Sequence, residues 1–151
     1  MKSILKESRF LELVRRLDTL EAGATRRWGT LSAHGMVCHL NDAFLTMLGD
    51  RPSDRQSTLS ERTLLRFFAL HLPFPWPKGV KGPAVVNQGE GGTPPVDFDA
   101  DMESLRSSMA RFAASVDPSA MRHPFFGQIS AREWGIWGYR HVDHHLRQFG
   151  V

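Results

Sequence analysis

Apolar residues recur at helical spacing along four long stretches of the chain. The first runs from about Ser3 to Leu20 and aligns Phe10, Leu13, Val14 and Leu17. A linker, Glu21 to Leu31, follows with Trp28 as its anchor. The second stretch opens at Ser32, whose hydroxyl suits an N-cap, and presents Met36, Leu40, Ala43, Phe44 and Met47 before Gly49-Asp50-Arg51-Pro52 stops it. The third runs from about Asp99, read as its N-cap, through Ser115, with Met102, Leu105, Met109, Phe112 and Val116 apolar. The last opens on a capping box, Ser130-Ala-Arg-Glu133, and reaches Phe149. A shorter helix is predicted from Ser60 to about Leu72, built on Leu64, Leu65, Phe68 and Leu72 and ended by Pro73, Pro75 and Pro77. Residues 78–97 are rich in Gly and Pro and read as an extended crossover on the surface. The pattern predicts an all-α fold: a four-helix bundle with one long, partly helical crossover between helices 2 and 3, in one domain spanning residues 1–151.

Composition changes this picture little. Of 151 residues, 41% are hydrophobic and 23% charged, as in ordinary globular domains, and the formal net charge is +3. The basic residues are scattered, with short pairs at Arg15-Arg16 and Arg26-Arg27, and form no dense stripe of the kind a dedicated nucleic-acid binder carries. The single cysteine, Cys38, excludes an internal disulfide framework and points to a reducing compartment. Met1 to Glu7 lacks the apolar centre of a secretory signal, and no stretch approaches the ~18 uncharged apolar residues that span a bilayer. A cytoplasmic protein that does not enter membranes is expected.

The candidate chemistry lies in histidines. The last helix contains His141-Val-Asp-His144-His145, and residues four apart stack on one helix face. Spacing alone also permits His141 with His144, so the helical wheel decides. Trp134, Trp137, Gly138, Val142, Leu146 and Phe149 define an apolar arc, with His145 near its centre, His141 beside it and His144 at its edge. Two imidazoles on a core-facing stripe need partners, because unpaired buried polar groups cost free energy. The spacing leaves two readings open: a metal pair, or two core histidines satisfied by hydrogen bonds. Gly138 removes bulk where something else can approach the helix. A metal pair needs a further ligand, and His39 on the second helix, one turn from Met36 and Ala43, is the best placed. His34 points elsewhere, and His71 and His123, beside prolines, read as surface or hydrogen-bonding residues.

These residues resemble the DinB/YfiT-like superfamily. There, a histidine in the second helix of a four-helix bundle joins an H-x-x-x-H pair in the last helix to bind a metal. Met36-Val-Cys-His39-Leu-Asn-Asp42-Ala is similar to its second-helix signature, and His141-Val-Asp-His-His145-Leu-Arg-Gln148 to its ending. Trp28-Gly-Thr-Leu-Ser32, Pro73-Phe-Pro-Trp-Pro-Lys78-Gly, His123-Pro-Phe-Phe-Gly127 and His144-His-Leu-Arg-Gln-Phe149 resemble one bacterial branch of unknown function. The resemblance implies a metal site of His39, His141 and His145, and a homodimer. In much of the superfamily an arginine directly follows the last ligand, whereas here Leu146 intervenes before Arg147, so the role of that arginine does not carry over.

Three neutral imidazoles suit zinc, nickel or iron as divalent ions. Such a site leaves the ion's charge uncompensated, which lowers the pKa of a bound water and ionises a bound thiol. The resemblance implies a transferase using a low-molecular-weight thiol; hydrolysis of a small-molecule substrate is the other open activity. Asp42, three residues after His39, is a candidate to orient it or act as a general base, and equally reads as a solvated helix residue. Cys38 points about 100° away from His39 and reads as a packed thiol. Trp76, Phe125 and Phe126 read equally as pocket entrance, dimer surface or core. The alternative is a non-catalytic protein whose ion staples two helices, with a fourth ligand from His71, His144 or Cys38. Nucleic-acid binding comes last among the readings.

Overall fold

The computed structural model describes residues 1–53 and 55–151. It contains five α-helices among the described residues: α1 (Glu7–Leu17), α2 (Ala33–Leu48), α3 (Arg66–His71), α4 (Phe98–Ser115) and α5 (Ala131–Phe149). A π-helical turn, Glu61–Leu65, leads into α3, and a 3₁₀ turn, Ala84–Val86, lies in the crossover. Among the described residues there is no strand, only an isolated bridge between His123 and Gly127. Among the described residues no helix is long and apolar enough to cross a membrane.

Local chemistry sets the helix ends. Ser32 Oγ accepts from the Gly35 amide at 2.9 Å, and Gly49 ends α2 in the left-handed region at φ 84°. Asp97, not Asp99, caps α4 by accepting from the Ala100 amide at 3.0 Å. Asp99 and Asp101 fall in the first turn instead, where carboxylates favour the helix dipole. The first helix is shorter than its apolar repeat suggests. Ile4 precedes it in a strap whose amide donates to the Gly135 carbonyl at 2.9 Å, and its side chain is fully buried. The missing bulk at Gly138 serves this strap. A Cβ there would stand 2.8 Å from Ile4 and 3.1 Å from Phe112, so the helix is approached by core side chains and not by a ligand.

α2 packs along α4, α1 and α3 pack on α5, and α2 faces α5. One core joins them: Leu13 and Leu17 from α1, Met36, Leu40 and Phe44 from α2, Leu105, Met109 and Phe112 from α4, and Trp134, Val142 and Leu146 from α5. Phe44, Phe112 and Trp137 meet edge to face, with ring centres 5.1–5.7 Å apart. The α2–α5 contact brings the histidines together.

The crossover runs over the surface, as its composition predicts, but it is anchored there. Val86 is buried, and the 3₁₀ turn that holds it packs on α2. The Asp42 carboxylate, wholly buried, fastens the same segment by accepting from the Thr93 amide and hydroxyl, each at 2.7 Å, and from Arg51 at 2.9 Å. Gly and Pro content marks a segment as irregular but says nothing about what it covers.

Glu133 ties α3 to α5. Besides closing the capping box with Ser130, it takes two hydrogen bonds from Arg66, at 2.8 and 2.7 Å, and one from His71 at 3.1 Å. Burial pushes its carboxyl up, but the bonds from Arg66, Ser130 and His71 outweigh that and bring it from 4.5 to about 2. Since the folded-state value is the lower one, this stability is present above pH 4.5 and is lost as pH falls through about 2. Glu133→Gln keeps the cap but not the charge, and urea unfolding at pH 7 is expected to show a loss of about 2 kcal/mol. The wild-type advantage should shrink steadily below pH 4.5; an advantage unchanged by acid would contradict this assignment.

Candidate metal centre

α5 turns His141 and His145 toward α2, which presents His39 between them. The ring centres form a compact triangle: 5.4 Å from His39 to His141, 4.7 Å from His39 to His145, and 5.0 Å from His141 to His145. One ligand nitrogen from each lies within 4.8 Å of the other two, close enough to share a metal ion. Two imidazoles bound to one ion at ~2.1 Å stand ~3.4 Å apart at the tetrahedral angle, inside that limit. His39 is buried; His141 and His145 keep an edge uncovered.

Hydrogen bonds settle the protonation of two rings. His39 Nδ1 lies 2.7 Å from the Val86 carbonyl, which can only accept, so Nδ1 carries the proton and Nε2 a free lone pair. His145 Nδ1 lies 3.0 Å from Gln148 Oε1. The Gln148 amide is oriented by its own Nε2, which donates to the Trp28 carbonyl at 2.9 Å, so Oε1 must accept and His145 is likewise protonated at Nδ1. Gly29 makes that possible: at φ 84° it turns the chain, and a Cβ there would overlap the Gln148 amide. His141 differs. Its Nδ1 is buried with no hydrogen-bond partner, between Trp137 at 5.1 Å and Trp76 at 6.1 Å between ring centres. A buried, unpartnered imidazole nitrogen is costly unless something binds the ring.

All three rings are neutral at pH 7. Burial lowers the pKa of His39, only partly offset by the Val86 hydrogen bond, and burial with the other histidines nearby holds His141 and His145 well below 6.5. Three neutral imidazoles, two of them pinned from behind with Nε2 left free, are a donor set that suits a divalent transition metal.

The other candidates are engaged elsewhere. His34 pairs with Asp101 at 2.7 Å, and Cys38 Sγ lies 3.5 Å from the same carboxylate oxygen. These three also lie within 4.8 Å of one another, but they satisfy each other, and burial with Asp101 nearby pushes the Cys38 thiol up to about 12. His71 is held by Glu133. His123 is buried, not superficial; its Nδ1 accepts from the Phe125 and Phe126 amides at 3.1 and 3.2 Å, and its ring stacks on Phe126. His144 stands edge-on to Trp28, 4.7 Å between ring centres. Asp42 is neither solvated nor bonded to a histidine; among the described residues its partners are Arg51 and Thr93.

Sequence reasoning missed the groups behind the rings. Gln148 sits three residues after His145, a helical-neighbour spacing that could have flagged it. The carbonyls of Val86 and Trp28 leave no such signal, because every residue has one.

The hydrogen bonds predict a tautomer pattern. In long-range proton–nitrogen spectra of metal-free protein at pH 7, His39 and His145 should both report as Nδ1–H forms. Gln148→Leu should return His145 to a mixture while His39 stays unchanged; a His145 signal indifferent to Gln148 would refute the orienting role. Compared with family models, curated proteins and solved structures, the chain matches none.

Proposed function

We propose that His39, His141 and His145 hold one divalent metal ion, in a DinB-like protein that activates a thiol or a water for reaction with a small molecule. The most favoured activity is transfer of a low-molecular-weight thiol to an electrophile, with hydrolysis next. One observation carries the reading: neutral imidazoles converge from α2 and α5, two of them oriented from behind by groups that bind nothing else at the site. One histidine from the second helix and an H-x-x-x-H pair from the last also support the DinB-like assignment.

An ion held there would supply Lewis acidity, bringing a water's pKa toward ~7 and ionising a thiol outright. The chain supplies the rest. The Val86 carbonyl and Gln148 direct the proton-free nitrogens of His39 and His145 inward, so neither has to lose or move a proton on binding. The Trp137 and Trp76 rings flank His141 and lower the local dielectric, which strengthens electrostatic effects at the site. A stapling role needs a fourth protein ligand, and the three candidates for it are otherwise placed: Cys38 at Asp101, His71 at Glu133, His144 against Trp28.

Elemental analysis of purified protein tests the site beside His39→Ala, His141→Ala and His145→Ala. About one equivalent of zinc, nickel or iron is expected in the parent, and at least a tenfold weaker hold on it in each variant. Metal retained after loss of any two histidines would overturn the assignment. Conjugation of cellular thiols to a chromogenic electrophile then tests activity: the expected result is turnover abolished by chelation and restored by the metal. Turnover indifferent to chelation would remove the catalytic reading.

A further inference from the structure

A cleft of about 780 Å³ lies beside the histidines, between the Pro73–Lys78 segment and the C-terminal half of α5, with Arg27 and Trp28 closing one side. Its volume is within the ~300–1,000 Å³ of small-molecule sites. Its charge is lopsided. The whole chain carries 19 Lys and Arg against 16 Asp and Glu. The cleft is lined by Lys2, Arg27, Lys78, Arg140 and Arg147, with Asp143 as the opposing carboxylate.

That carboxylate is already taken by Arg16, from outside the cleft, at 2.7 Å; Arg147 stands 3.8 Å from its other oxygen. Lys2 is held by Glu12 at 2.6 Å. The Arg140 guanidinium donates to the carbonyls of Leu72 and Phe74, and among the described residues it makes no close ion pair, Asp143 acting on it only from a distance. Lys78 lies over the Trp28 ring, 5.2 Å from its centre, and among the described residues neither Lys78 nor Arg27 has a carboxylate partner. Cations gathered in a concave surface without counter-charge focus a positive potential there. The walls between them are flat and apolar, Trp28 and Trp76.

The cleft shares its inner wall with the candidate metal centre. Trp76 lines the cleft and stands 6.1 Å from the His141 ring, and His144 lines it and stands 5.3 Å from the His145 ring. We propose that this cleft binds a small organic anion, a carboxylate or phosphate facing Arg27, Lys78 and Arg147 with its apolar body along Trp28 and Trp76. That the anion is the substrate rests on the metal-centre reading above; that it binds does not.

Calorimetric titration of metal-free and zinc-loaded protein with phenylphosphonate, benzoate and neutral benzamide tests this, with tryptophan fluorescence as a second readout. Both anions are expected to bind in either metal state, to perturb the fluorescence and to weaken as salt rises, while benzamide binds at least tenfold more weakly. The exposed substitutions Arg27→Gln and Lys78→Gln together should weaken the anions about tenfold, one charge-assisted contact's worth, while leaving metal content unchanged. Inorganic phosphate should bind more weakly than phenylphosphonate, because it cannot use the tryptophan walls. Benzamide binding as tightly as benzoate, or anion binding indifferent to both salt and the double variant, would overturn the proposal. Inorganic phosphate matching phenylphosphonate would overturn the apolar part of it. Anion binding without metal binding would leave the cleft standing and remove the metal centre, and the converse would do the opposite.

Discussion

The hydrogen bond from His39 to the Val86 carbonyl joins the parts of this molecule that matter to each other. His39 sits on the helix face that must meet α5, and a buried imidazole needs a partner for its N–H. The partner comes from the crossover, so the crossover has to be fastened against α2 with its 3₁₀ turn in register. Asp42, one turn along the same helix, does the fastening through Thr93 and Arg51. A ring orientation, a loop path and a buried carboxylate are thus a single arrangement, and disturbing one disturbs the others.

The electrostatics divide sharply in space. The three imidazoles are themselves neutral, and burial keeps them so. A few ångströms away, past Trp76 and His144, the surface turns strongly positive. At the N-terminal end of α5, Glu133 collects Arg66 and His71, two turns along the helix from His141. A neutral interior beside a cationic approach lets cations and neutral donors do separate jobs without competing for the same acceptors.

Much of this was legible in the residues. The helix count and the capping box followed from periodicity and cap chemistry, and the wheel set His141 and His145 apart from His144. Two kinds of feature were hidden. Contacts through backbone carbonyls, such as those of Val86 and Trp28, depend on where the chain runs and not on which residue it carries. Long-range fastening was the other: Asp42 looked solvated or chemical because Thr93 is 51 residues away, and Gly138 looked like room for a ligand because Ile4 belongs to a strap before the first helix. The α4 cap slipped by two residues because Asp97, Asp99 and Asp101 all suit a helix start, and only the hydrogen bond chooses among them.

Gly29 gives the arrangement an unexpected lever. It lies on the turn that precedes α2, and its missing side chain lets Gln148 sit behind His145. A mutation there would retune the basicity of one imidazole from outside the site. Affinity for an ion at the proposed site would therefore drift over evolutionary time at a surface position, with all three histidines left intact.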